Sequence, residues 1–152
     1  MLIEVGHFAL ALALIISALL MIVPSIGIYQ KKTSLAQLAK PLVWAQGFWI
    51  SVAFFVLMSA FLSNDFSVKY VADNSNTQLP VLFKASAVWG SHEGSLLLWV
   101  FILSLWTVAV SIFSKRIPSD LSNQNLIVLG SISFGFLLFI LFTSNPFERL
   151  MM

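Results

Sequence analysis

Cysteine is absent from the 152-residue chain, histidine occurs twice, and charge is scarce. Without cysteine there is no disulfide framework, no thiolate metal site and no thiol nucleophile. Asp, Glu, Lys and Arg make up 9% of the residues, against about a quarter in a soluble globular domain. A chain that is also 59% hydrophobic, with a mean hydropathy of +0.96, is not built to present its surface to water. It reads as an integral membrane protein. The eight Lys and Arg outnumber the six Asp and Glu, but they are scattered through short loops and form no basic face, which excludes nucleic acid as a partner.

Charge is missing most consistently from four runs, about 7–29, 42–63, 95–113 and 126–144, none of which contains Lys, Arg, Asp or Glu. Each is near the length of about 20 apolar residues that a bilayer requires. A charge at mid-membrane costs roughly 2.5–3.5 kcal/mol on the insertion scale. These runs therefore define the fold class as all-α and integral to the membrane, with about four transmembrane helices in a single membrane domain over 1–152. The same absence argues against a transporter or channel subunit, whose pathways are marked by intramembrane ionisable residues.

No Lys or Arg precedes the first run, which opens "MLIEVGHF", whereas a signal peptide starts with a positive region. The positive charge follows instead, in "YQKKTSLAQLAK". Taking the loops alternately, Lys31, Lys32, Lys40, Lys115 and Arg116 fall on one side and Lys69, Lys84 and Arg149 on the other. The positive-inside rule makes the first set cytoplasmic. Both chain ends and the loop of about 64–94 then face outward, into the periplasm of a Gram-negative cell. In that loop "SNDFSVKYVADNSNTQLP" reads as a strand-like or irregular crossing closed by Pro80. A helix can start at Pro80, laying "VLFKASAVWG" along the interface before the third span, with Trp89 at headgroup depth.

Small residues recur at helical spacing: Ala9, Ala13 and Ser17, then Gly47 and Ser51, then Ser131 and Gly135. Such stripes let helix backbones approach closely, within the chain or against a partner. Pro24 removes a backbone donor near the end of the first span and is a candidate kink.

Candidate chemistry gathers at the outer boundary. Glu4 and His7 are three apart on a helix start and share a face. His92 and Glu93 are adjacent and diverge by about 100° on a helix. Topology brings both pairs to one side of the membrane, so a site drawn from two helices is geometrically possible. Imidazoles there can ligate iron or zinc, or simply bridge water and headgroups. Glu93 either faces such a site or complements the helix dipole in a first turn capped by Ser91. Gly90 and Gly94 admit a tight bend, a planar ligand or a second backbone. Trp89 and Trp99 are placed for interfacial anchoring or for stacking. No phosphate loop, activated nucleophile or zinc signature is present.

Three ordered motifs, "GHFAL" at 6–10, "WGSHEGSLLLW" at 89–99 and "SNPFERL" at 144–150, resemble the amino-terminal portion of the cytochrome c-type biogenesis haem lyase family of the CcmF/NrfE type. The resemblance covers essentially this whole chain and only the first part of a typical member. It implies a component of a machine in the bacterial inner membrane, or the mitochondrial one, that receives haem from a haem chaperone. That machine attaches haem to the thiols of a Cys-x-x-Cys-His motif in apocytochrome c. The family's tryptophan-rich haem-handling motif and haem-ligating histidines lie farther along, and no position here matches them.

The resemblance therefore implies no catalytic residue, no metal site and no direct haem ligation in this chain, which would act with the remaining lyase helices or subunits. Outer-face contacts to haem or a partner would come from Trp89, Gly90, His92, Glu93, Gly94 and His7. The chain is expected to be either the amino-terminal part of a longer lyase or one piece of a divided one. The alternative from another class is a structural subunit of a respiratory membrane complex.

Overall fold

The computed structural model describes residues 2–90, 92–113, 118–143 and 145–147. Among them the chain forms seven helices: α1 (Leu2–Tyr29), α2 (Thr33–Ala36), α3 (Ala39–Leu62), α4 (Lys69–Asn74), α5 (Val81–Ala87), α6 (His92–Phe113) and α7 (Ser119–Phe142). Four of these, α1, α3, α6 and α7, are long and apolar enough to cross a membrane. At about 1.5 Å per residue the shortest, α6 with 22 residues, is roughly 33 Å long, which exceeds a hydrocarbon core of about 30 Å. An apolar chain in lipid has no water to satisfy its backbone, so the runs close their own hydrogen bonds as helices.

All four helices begin before the apolar runs do. Apolar composition marks where the hydrocarbon starts, whereas a helix continues into the headgroup layer. Thus α1 takes in Glu4 and His7, and α6 opens on His92 with Glu93 in its first turn. Prolines set other starts: Pro118 precedes α7, Pro80 precedes α5, and Pro41 lies in the first turn of α3, where a missing N–H costs no helical bond. Pro24 is accommodated inside a continuous α1. The cap expected from Ser91, and the charges at Lys115, Arg116 and Arg149, lie outside the described residues.

The spans form a bundle in which α1 packs on α3 and α7, and α6 packs on the same two helices from the opposite corner. Paired contacts fix the directions. The ring of Phe54 stacks on Phe101 with centroids 4.7 Å apart, and Gly47 lies under Val108, so α3 and α6 are antiparallel. Gly6 meets Phe147 and Gly130 meets Leu20, which makes α1 and α7 antiparallel too. The starts of α1 and α6 therefore share one end of the bundle with the ends of α3 and α7.

Two of the small-residue stripes do the packing expected of them. Ala9, Ala13 and Ser17 are fully buried, and a Cβ on Gly47 would come within 3.1 Å of Val108. The third stripe turns outward: nothing lies within 4 Å of a Cβ built on Gly135. Across α1 and α3 the buried Gln46 amide donates to Ser17 Oγ at 2.5 Å, while its Oε1 has no partner.

The loop of about 64–94 differs from its expectation. Its Asn- and Ser-rich crossing contains the short helix α4, whose Tyr70 is buried against Phe61 with ring centroids 5.3 Å apart. Polar composition hides one anchoring aromatic. The interfacial segment before the third span is α5, which leaves Val81, Leu82 and Phe83 exposed while Lys84 and Val88 turn inward. Its apolar outer edge beside a membrane bundle suits the headgroup boundary.

Candidate functional site

The "WGSHEG" stretch is a tight reversal between α5 and α6. The last carbonyls of a helix lack internal partners, and here side chains supply them. Tyr70 Oη donates to the Val88 carbonyl at 2.8 Å, and Ser95 Oγ donates to the Trp89 carbonyl at 2.7 Å. Val88 lies so close to α6 that a Cβ on Gly94 would overlap its carbonyl oxygen and the Tyr70 hydroxyl. Gly94 therefore admits a second backbone. Gly90 is in open space by comparison, with the nearest atoms of Ala87 3.6 Å from a Cβ built there.

This reversal displays Trp89, 39% exposed, and leaves Glu93 half-buried in the first turn of α6. His92 begins the same helix, and its side chain lies outside the described residues. Trp99 is exposed on the apolar flank of α6.

A second constellation forms where α1 starts and α7 has just ended, joining the "GHF" and "NPF" motifs. The ring of Phe147 seats on Gly6, where a Cβ would lie 2.5 Å from Phe147 Cε1 and 2.9 Å from Val56. The Phe147 N–H donates to Asn145 Oδ1 at 2.9 Å, and Asn145 Nδ2 lies 3.1 Å from His7 Nδ1. Ile3, Glu4, His7, Phe8, Asn145 and Phe147 line a cleft of about 430 Å³. An Asn-Pro step is a turn signal, and it returns the chain onto α1.

His7 and Glu93 thus share one end of the bundle on helices at opposite corners, His7 paired with Asn145. Among the described residues no three His, Asp or Glu side chains converge as metal ligands. Two contributors escaped the sequence reading. Tyr70 gave no signal, whereas Asn145 was visible only as part of the motif "SNPFERL". Among the described residues, this end of the bundle offers one exposed imidazole with a fixed partner, a half-buried carboxylate and a partly exposed indole.

Fold and site define an all-α integral membrane protein whose loops at one end are locked onto the bundle by local motifs. The comparisons with known proteins are specific about which kind. No protein-family model matches the chain. It is 51% identical over 146 residues to the cytochrome c-type biogenesis protein CcmF of Escherichia coli, covering 96% of this chain and 23% of that protein. It is 43% identical over 150 residues to the cytochrome c-type biogenesis protein NrfE of Haemophilus influenzae, covering 99% of the chain and 24% of that protein. A solved structure of the cytochrome c haem lyase CcmF superposes with a TM-score of 0.92 at 29% identity, over 99% of this chain and 25% of the other. The chain belongs to the CcmF/NrfE family of cytochrome c-type biogenesis proteins and matches its amino-terminal portion. It spans about a quarter of the length of these relatives.

Proposed function

We propose that the chain is the membrane scaffold of a haem lyase in cytochrome c maturation, supplying part of the outer face at which haem and apocytochrome c meet. The observation that carries this reading is the match along nearly the whole chain, at about half identity, to proteins named for cytochrome c biogenesis. The biogenesis names favour it over a respiratory structural subunit. Its place is the bacterial inner membrane, with the amino terminus periplasmic, as the lysine distribution argues.

Haem would be the substrate. The described side chains do not fit its ligation: His7 already has Nδ1 engaged by Asn145, and no second imidazole stands beside it among the described side chains. The axial ligands and the stacking platform belong to the remaining lyase helices, whether on the same polypeptide or on another. Trp89, Gly90, His92, Glu93, Gly94 and His7 then form a rim that haem or a partner touches without iron ligation by this chain. A haem chaperone and apocytochrome c are the partners.

Genetic complementation tests the reading. Deleting the gene in its host should abolish covalent haem on c-type cytochromes, scored by haem staining after denaturing electrophoresis, and the wild-type gene should restore it. A double variant, His92→Ala with Glu93→Ala, present at wild-type membrane levels, should restore at most a small fraction. Normal cytochromes in the deletion strain would reject the function, and normal maturation by the variant would reject the placement of the rim.

A further inference from the structure

We infer that His7 is held as the Nε2–H tautomer by a relay from the Phe147 backbone through Asn145, so that it acts at the cleft as a hydrogen-bond donor to an oxygen acceptor and not as an iron ligand. The chain of reasoning starts from a group whose role has no ambiguity. A backbone N–H only donates, so the Asn145 atom 2.9 Å from the Phe147 nitrogen is its carbonyl oxygen. The other atom of that amide is then NH₂, which also only donates. It lies 3.1 Å from His7 Nδ1, and that nitrogen must offer its lone pair. A neutral imidazole with a bare Nδ1 carries its proton on Nε2.

The relay is anchored at its Phe147 end. Phe147 is buried, its ring seated on Gly6, which fixes the N–H that orients the amide. His7 itself is exposed, so Nε2–H is presented outward along a cleft lined by Ile3, Phe8 and Phe147. Metal coordination through Nε2 requires that nitrogen to be bare, hence a proton on Nδ1, where it would confront the Asn145 amide hydrogens. Glu4 lines the same cleft and disfavours a carboxylate at close range, which makes a carbonyl oxygen the fitting acceptor. The assignment rests on local geometry, and only its bearing on haem rests on the lyase reading.

The test is solid-state ¹⁵N NMR of histidine-labelled protein, in the full length in which the polypeptide is made, in lipid membranes at mildly alkaline pH. A His7→Gln variant assigns the His7 signals by difference. Wild type should show His7 with Nδ1 in the unprotonated range and Nε2 protonated. Asn145→Asp keeps an oxygen for the Phe147 N–H but turns the second atom into an acceptor, so Nδ1 should become protonated. Hemin added to the same membranes should give the same Soret spectrum with wild type and with His7→Gln. A protonated Nδ1 in wild type, an unchanged Nδ1 in Asn145→Asp, or a Soret band that depends on His7 would each overturn the assignment. Failure of the haem-lyase complementation with the NMR pattern intact would instead reject the function and leave the relay standing.

Discussion

Gly94 carries the most exposed wager of the structure, because a single methyl group there has nowhere to go. In Gly94→Ala the new Cβ overlaps the Val88 carbonyl oxygen and the Tyr70 hydroxyl, and both belong to buried residues. The end of α5 must lift from α6, which separates Tyr70 Oη from the Val88 carbonyl it bonds at 2.8 Å. Overpacking of this kind costs about 1–3 kcal/mol, and an unsatisfied buried group adds about 1–3 kcal/mol. Replacing helical Gly by Ala returns about 1 kcal/mol, so the net loss is about 1–5 kcal/mol. Gly135→Ala provides the control, since its Cβ meets nothing within 4 Å and should stabilise by up to about 1 kcal/mol. The assay is equilibrium unfolding of the purified protein in mixed detergent micelles. Tyr70→Phe should lose part of the same energy, and the double variant should lose less than the sum, because both remove one bond. Equal stability of Gly94→Ala and Gly135→Ala would refute the reading of the reversal.

Two further outcomes follow from the buried polar and aromatic contacts. Ser17→Ala strips the Gln46 amide of its one partner, with Oε1 already unpaired, and should destabilise by about 1–3 kcal/mol. Gln46→Leu removes the unpaired Oε1 together with the amide nitrogen in similar volume and should be neutral or stabilising; a large loss there would show that the pair fixes helix register. Phe147→Ala empties the seat on Gly6 and frees Asn145, at a cost of about 3–5 kcal/mol if the site fails to collapse. Faster proteolysis of the chain after α7 would report that release, and an unchanged cleavage rate would count against the clasp.

The four spans were legible because hydropathy in a charge-poor chain has one solution in lipid, a helix. Their first turns were not, since the polar residues that open α1, α6 and α7 look like loop to a hydropathy window. Pro80 announced α5 correctly, whereas α4 was hidden by Asn, Asp and Ser composition and shows itself only through the packing of Tyr70 on Phe61. Small-residue spacing located close helix contacts on α1 and α3 without saying which stripe faces lipid. The candidate site was legible as a boundary, not as an arrangement. Gly94 was visible as a residue needing room, but that room is shared by the nearby Val88 carbonyl and the Tyr70 hydroxyl from 24 residues upstream. The partner of His7 is a turn residue 138 positions away, a distance over which one sequence carries no pairing signal.

These arrangements explain why costly residues can stand where burial begins. At the end of the bundle where α1 and α6 start, the chain must leave and re-enter the bilayer between α3 and α6 and emerge again after α7, and each passage exposes carbonyls or amides that lipid cannot satisfy. The reversal solves this by lending Tyr70 and Ser95 to the Val88 and Trp89 carbonyls. The turn after α7 solves it by lending Asn145 to the Phe147 N–H. Both solutions consume local donors and glycine space, and both leave a polar side chain at this end of the bundle: Glu93 in one case, His7 in the other. On the function proposed above, a surface held in this way would meet a large planar substrate or a peptide without first ordering itself, and ordering costs about 0.5–1.5 kcal/mol per side chain on binding. Loosening either lock, by Gly94→Ala or Phe147→Ala, should therefore weaken cytochrome maturation even where the rim residues themselves are untouched.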